Sequence, residues 1–446
     1  MSGAKALGIG VVVGGLAAGV ATVERGFASA AGRAFGAVLP GGERIWRPAG
    51  HAWALSALGI PAYVLMRRWY DRIESGAERV EEAFATPPAT PNVSGGPGSL
   101  VPWTTMSRQG RRNVSTALHP DWIDAVMGES GALAPIRVYV GLDSAPTERA
   151  RVDLALRELD QTGAFDRDLL LLVTPTGTGY VSYVAVECAE YLARGNMASV
   201  AVQYSLRPSV LSVDRVGVGR RHQRLLLDAL RDRLDACPAG RRPRLVLYGE
   251  SLGALAAQEA FAGTGTRGLV DIGVDRALWA GTPHFGRWRD EVLDRPGPDV
   301  DRSLVGEFDR FEQLEALGSD ARAGLRFVLL AHDEDPVPKF GPSLLFRAPS
   351  WLGPPDRRPP GVPGSETWQT PTTFLQTLVD MKNSVDLRPG KIEARGHDYR
   401  GDLARFVREV FALPATDEQL ASVEGALRRF EAARAVRIGE GSIPKL

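Results

Sequence analysis

The heptapeptide Tyr248-Gly-Glu-Ser-Leu-Gly-Ala254 sets a serine between two glycines, where an apolar run over Arg244–Tyr248 gives way to a small-residue helix from Leu252. A serine hydroxyl attacks a carbonyl carbon when a neighbouring base removes its proton, and a sharp strand-to-helix turn is one way to present it. Such a turn strains the serine backbone, so the residues two before and two after must be tiny. Gly249 and Gly253 meet that demand. The turn also aims the N–H of Leu252 at the point where an oxyanion forms during acyl transfer.

Where this kind of turn carries a nucleophile, the acid and then the base follow along the chain. Leu325-Arg-Phe-Val-Leu-Leu-Ala-His-Asp-Glu-Asp-Pro-Val337 runs from an apolar strand into an acidic loop and supplies Asp335, with Asp333 as the alternative. His397, in Ala394-Arg-Gly-His-Asp-Tyr-Arg-Gly-Asp-Leu403, follows the last apolar run and precedes a helix with Leu403, Phe406, Val407 and Val410 on one face. The other histidines fit less well. His51 lies in an apolar N-terminal region, His119 and His222 precede the nucleophile, His284 follows an earlier strand, and His332 sits beside the acid. A second oxyanion donor is expected from Pro175-Thr-Gly-Thr-Gly179, as the N–H of Thr176 or Gly177; this loop lacks the Gly-Lys-Ser/Thr ending of a nucleotide-binding loop. The two cysteines, Cys188 and Cys237, are too few for a disulfide framework or a cysteine metal site, and no metal or organic cofactor is implied.

The elements that must position these groups alternate. Apolar runs at 136–140, 169–174, 199–204, 244–248, 276–280, 326–331 and 391–394 are separated by helical patterns near 147–161, 183–193, 222–235 and from Leu252. Nearly continuous apolar strands between helices predict a mostly parallel sheet with helices on both faces. Residues 341–390 are rich in proline and glycine yet hold Trp368, Phe374, Leu378 and Met381, so this insertion is read as a cap whose four apolar side chains line a substrate pocket. From Thr416, with Gln419 as a capping-box partner, Leu420, Val423, Leu427 and Phe430 give one amphipathic helix.

Two uncharged runs, 6–23 and 48–66, are each close to the minimum needed to span a bilayer. They predict N-terminal apolar helices over 1–85 that anchor the chain to a membrane. Ala28-Ser29-Ala30 offers the alternative of a cleaved export signal. The Pro- and Gly-rich stretch 86–103 is then a linker, 104–412 the catalytic body with its cap at 341–390, and 413–446 a helical tail. With 53 basic and 53 acidic residues the formal charge is zero, which speaks against nucleic acid as a partner. The oligomeric state is not legible.

Six motifs occur in order: Arg137-Val-Tyr-Val-Gly-Leu-Asp-Ser-Ala145, Thr174-Pro-Thr-Gly-Thr-Gly179, Gly249-Glu-Ser-Leu-Gly253, Gly281-Thr-Pro-His-Phe-Gly286, Trp368-Gln-Thr-Pro371 and Gly396-His-Asp-Tyr-Arg400. Over about residues 100–412 the chain resembles an actinobacterial membrane-linked α/β-hydrolase family with a separate N-terminal membrane region. The resemblance implies an α/β-hydrolase fold, with Ser251 as nucleophile and His397 as base. Together these expectations describe a serine esterase or lipase-like enzyme acting on a small-molecule or lipid ester through an acyl-enzyme. An acyltransferase using the same three residues, or a membrane-tethered binding module, is the alternative.

Overall fold

The computed structural model describes residues 26–27, 29–37, 40, 46, 81–206, 216–238, 240–354, 358, 362, 367–369, 372–384 and 390–440. Two compact units divide the chain: residues 1–76 with 368–376, and residues 77–367 with 377–446. In the first, residues 29–37 are helical, and the rings of Phe35 and Trp46 lie 6.4 Å apart. Among the described residues no helix is long and apolar enough to cross a membrane. Both expected N-terminal runs, 6–23 and 48–66, lie outside the described residues, so a transmembrane helix finds no support in the structure.

The second unit is built on seven strands: β1 Ile136–Val140, β2 Leu169–Thr174, β3 Met197–Val202, β4 Arg244–Glu250, β5 Val274–Ala280, β6 Val305–Phe308 and β7 Phe327–Leu330. They pair in parallel in the order β1-β3-β2-β4-β5-β7-β6. Every residue of β1, β2, β3 and β7 is buried, which is what continuous Leu, Val and Ile runs dictate when helices cover both faces. One face carries the helices Glu148–Gln161, Val216–Asp235 and Leu252–Glu259, packed in that order; the other carries Pro120–Met127, Tyr183–Leu192, Leu403–Val410 and Asp417–Glu440. Arg137 lies fully inside β1 because its guanidinium is matched: Nε and Nη2 donate to Glu190 at 2.6 and 2.8 Å, and Nη1 donates to the Asn113 carbonyl at 2.6 Å. Removing one partner would leave a buried charge, at a cost of about 3–5 kcal/mol.

Strand register decides where the site can be. Thr174 pairs with Gly249, Glu250 with Ala280, and Ala280 with Leu330, so β2, β4, β5 and β7 end at one level. In a parallel sheet all their following loops therefore leave from one edge, which collects side chains from positions as far apart as 176 and 335.

Two expectations need correction. Lys391–Ala394 forms no strand; the only pairing there is an isolated antiparallel bridge between Arg395 and Asp398. The strand at the outer side of β7 is β6, whose sequence Val-Gly-Glu-Phe is too short and too mixed to announce a strand. The stretch 86–103 is docked rather than loose. The Asn92 carbonyl accepts from the Arg137 N–H (3.1 Å), the Ser94 N–H donates to the Arg137 carbonyl (2.9 Å), and Val93 is fully buried against β1. The tail helix begins as expected: the Gln419 N–H donates to Thr416 Oγ1 (3.2 Å) and the Thr416 N–H to Gln419 Oε1 (3.0 Å), the reciprocal pair of a capping box.

Candidate active site

Strand β4 ends at Glu250 and the helix Leu252–Glu259 begins two residues later, so Ser251 alone makes the turn. Its φ of 54° and ψ of −125° lie in the left-handed half of backbone space, at a cost of about 1–3 kcal/mol for a residue with a side chain. The tightness explains the flanking glycines. A Cβ on Gly253 would stand 2.3 Å from the Thr174 carbonyl oxygen, and one on Gly249 would stand 2.9 Å from the backbone N and Cα of Ala254. The Ser251 N–H donates to the Ala280 carbonyl at 2.8 Å and its carbonyl accepts from Leu255 at 3.1 Å.

The close approach of Gly253 to Thr174 and Pro175 brings the loop after β2 beside this turn. Within that loop the Thr176 N–H already donates to the Tyr180 carbonyl (2.9 Å), which takes it out of use, whereas Gly177 has no part in that bond. Leu252, at the first position of its helix, is buried next to Ser251.

Ala280 leads from Ser251 to the imidazole. Gly281 follows it at φ 61°, and a Cβ there would lie 2.6 Å from His397 Cε1 and 2.7 Å from Tyr399 Cε2. His397 and Ser251 thus sit on either side of one dipeptide at the end of β5. His397 Nδ1 is 2.7 Å from Asp335 Oδ2, both groups buried, which leaves Nε2 for another partner. Asp335 is fully enclosed: Oδ1 accepts from the Val337 N–H at 2.8 Å, and Oδ2 also accepts a short hydrogen bond from the Tyr399 hydroxyl.

Electrostatics follow from this enclosure. Burial alone would raise the Asp335 carboxyl, but the His397 charge and the hydrogen bonds from His397, Tyr399 and Val337 outweigh it and hold the group below the ordinary carboxylate range. Burial alone would lower His397, and the Asp335 charge and hydrogen bond, with the nearby carboxylates of Glu250 and Asp398, bring it above the ordinary histidine value. Burial and the Asp335 charge push the Tyr399 phenol up, so it remains a donor. Asp333 faces elsewhere. Burial and its shared hydrogen bond with Asp309 raise it to about 7, and Arg310 lies 3.6 Å away.

The structure therefore brings Ser251, Leu252, Asp335 and His397 to the carboxyl edge of the sheet, with Gly177 in the loop that leaves the neighbouring β2. Of the four apolar residues of 341–390, Trp368 and Phe374 fall in the first compact unit and Leu378 and Met381 in the second, and Phe374, Leu378 and Met381 share the helix Thr372–Ser384. A cavity of about 350 Å³ is walled by Tyr180 and Val181 from the loop after β2, Tyr183, Arg108, Arg112 and Arg400, and by none of Ser251, Asp335 and His397. None of the four lines it.

Three contributors escaped the sequence reading. Tyr399 holds the acid, His332 stacks on Tyr399, and Glu250, which accepts from the Tyr248 hydroxyl at 3.0 Å, is raised by burial despite the opposing charge of His397. The only available signal for Tyr399 is its place two residues after His397 in an otherwise polar loop. No cluster of His, Cys, Asp and Glu suited to a metal ion occurs among the described residues. Residues 136–423 match the model of an alpha/beta-hydrolase family, and residues 2–117 match the model of an alpha/beta-hydrolase family N-terminus. Comparison with curated proteins finds no match.

Proposed function

The chain belongs to the alpha/beta-hydrolase family, and from that premise we propose that it is a serine hydrolase that cleaves an ester of a lipid or other apolar acyl group through a covalent acyl-enzyme. The observation that carries this reading is the buried 2.7 Å pair of His397 Nδ1 and Asp335 Oδ2, set one dipeptide away from a serine in a strained turn. In the first step the Ser251 hydroxyl adds to the ester carbonyl carbon while His397 Nε2 takes its proton. The carbonyl oxygen becomes an oxyanion, held by the N–H groups of Leu252 and Gly177, with Thr176 disfavoured because its amide is already bonded. Collapse expels the alcohol, which leaves with the proton from His397. Water then repeats the sequence on the acyl-enzyme and releases the acid. Asp335 fixes the imidazole tautomer and favours the imidazolium formed at each transfer. No cofactor takes part in this scheme.

The test is direct: a fluorophosphonate probe should label Ser251 and abolish turnover of short-chain aryl esters, with the adduct located by peptide mass spectrometry. Turnover that survives complete labelling would remove the assignment. The residues 341–390 are proposed to select acyl chains through Trp368, Phe374, Leu378 and Met381. Residues 1–85 are proposed to hold the chain on a membrane, with fractionation and N-terminal sequencing as the check: full-length protein recovered without detergent would exclude it, and a mature N-terminus at Ala31 would favour export after cleavage.

A further inference from the structure

His332 lies two residues past the end of β7 and three before Asp335, and is buried. Its Nδ1 lies 2.8 Å from the Gly396 carbonyl oxygen and its Nε2 lies 2.9 Å from Asp402 Oδ2. Its ring stacks on Tyr399, centroids 4.2 Å apart and planes tilted by 25°. Its own N–H donates to the Tyr399 hydroxyl oxygen (3.3 Å), and its carbonyl accepts from the Asp335 N–H (3.0 Å). One side chain thus grips both ends and the middle of the loop 396–402, the loop that carries His397, and does so from the strand end that carries Asp335.

The identities of the partners fix more than geometry. A neutral imidazole has one N–H and one lone pair, whereas a peptide carbonyl and a carboxylate offer lone pairs only. Both bonds form together when both ring nitrogens carry hydrogen. We propose that His332 is an imidazolium that acts as a positioning residue, clamping the 396–402 loop to the end of β7 so that His397 stays against Asp335. Its effect on turnover rests on the serine-hydrolase reading; its protonation does not.

The titratable groups that face His332 are Asp402 and Tyr399 from the loop and Asp335 from its own strand end. Burial works against the cation, but the hydrogen bonds of Asp402 and Gly396 and the charges of Asp402 and Asp335 outweigh it, so its pKa lies above the ordinary histidine value. A group raised on folding keeps its contribution below its unfolded pKa and loses it as pH climbs through the folded one. Turnover should accordingly fall as pH climbs through the folded pKa of His332 and the clamp is lost, so that the alkaline limb belongs to His332.

Long-range proton–nitrogen spectra of the full-length chain, labelled with ¹⁵N-histidine, read the protonation directly. At pH 7 one histidine, absent from the spectrum of His332→Gln, should show both nitrogens protonated, and should lose that signature as kcat falls at alkaline pH. In His332→Gln, kcat on a water-soluble ester should fall on the order of 10- to 100-fold with KM within about twofold, and the alkaline limb should disappear. A singly protonated His332 at pH 7, or a variant with the parent kcat and alkaline limb, overturns the proposal. If His332→Gln does not fold, Asp402→Asn keeps the ring and removes its anion; the alkaline limb should then move to lower pH, and an unmoved limb overturns the clamp. A doubly protonated His332 in a protein that fluorophosphonate leaves unlabelled at Ser251 supports the clamp and overturns the serine-hydrolase reading instead.

Discussion

The turn 249–253 and the loop 396–402 hold the two groups proposed to exchange a proton, and they are built by opposite means. At the turn the fit is steric: Gly249 and Gly253 have backbone atoms where a Cβ would stand, and Ser251 is held by main-chain bonds to Ala280 and Leu255. The loop has no regular secondary structure and is fastened by side chains. Arg400 donates to Asp398, Glu431, Tyr183 and the Lys391 carbonyl, His332 spans the ends, and Tyr399 reaches Asp335. The proposed nucleophile is placed by what cannot fit, and the proposed base by what bonds to it. The first arrangement should tolerate pH and fail on added volume; the second should tolerate small changes of volume and fail when a donor or a charge is lost.

Removing the hydroxyl while leaving the backbone of the turn in place gives the largest loss. Ser251→Ala should lower kcat by on the order of 10⁵ to 10⁶ and end fluorophosphonate labelling with an unchanged melting temperature. Asp335→Asn comes next, at roughly 10⁴ in kcat, because it removes the anion that fixes the tautomer. It also tests the sign of the electrostatics. Asp335 raises His397, so the acid limb of the parent profile should lie above the ordinary histidine value, and Asp335→Asn should move it downward. Asp333→Asn should cost less than about tenfold, since Asp333 bonds with Asp309 and not with the imidazole.

Gly281→Ala tests the dipeptide where the two regions meet. The added methyl would collide with His397 and Tyr399 at a residue whose φ already disfavours a side chain, and a shift of the imidazole by about 1 Å should cost on the order of 10²-fold in kcat. Tyr399→Phe keeps the ring and removes one hydrogen bond to a carboxylate, so a fall of about 10-fold is expected, rescued by no change of pH. The effect of the cap should be selective for the substrate. Trp368→Ala or Phe374→Ala should lower kcat/KM for long-chain esters by about 5- to 150-fold, the equivalent of about 1–3 kcal/mol of apolar contact, with acetate esters nearly unaffected. Equal losses on both ester classes would show that these side chains only support the fold.

The sheet and the turn were legible because their causes are local. Leu169–Thr174 is a continuous apolar run, and the spacing of Gly249, Ser251 and Gly253 records a steric requirement within five residues. Asp335 and His397 could be chosen because their loops follow apolar runs in chain order, although the strand expected before His397 does not form. What escaped was set by distant partners. Nothing near residue 332 in the sequence says that its ring will meet Gly396 and Asp402, and Thr176 could not be set below Gly177 until the bond to Tyr180 was visible. Strand β6 was missed because a glycine and a glutamate interrupt its four residues, and its pairing with β7 comes from the tertiary structure rather than from its own propensity.

The docking of Asn92–Ser94 along β1 has a consequence for how the protein behaves in a crowded solution. A parallel sheet has two raw flanks whose unpaired amides and carbonyls invite another chain to add itself, and an exposed flank of Ile, Val and Tyr is a template for aggregation. At β1 this short tether occupies part of the flank through Arg137, and Ser94 Oγ accepts the Tyr139 N–H at 3.1 Å. On the far side β6 is brief, and Glu307, within it, is bridged to Arg289 at 2.6 Å, so a charge pair guards that margin. Proteolytic nicking between residues 85 and 95 would leave the chemistry at the opposite end of the strands intact while unmasking the β1 flank, and the nicked protein should be lost to self-association before it is lost to inactivation.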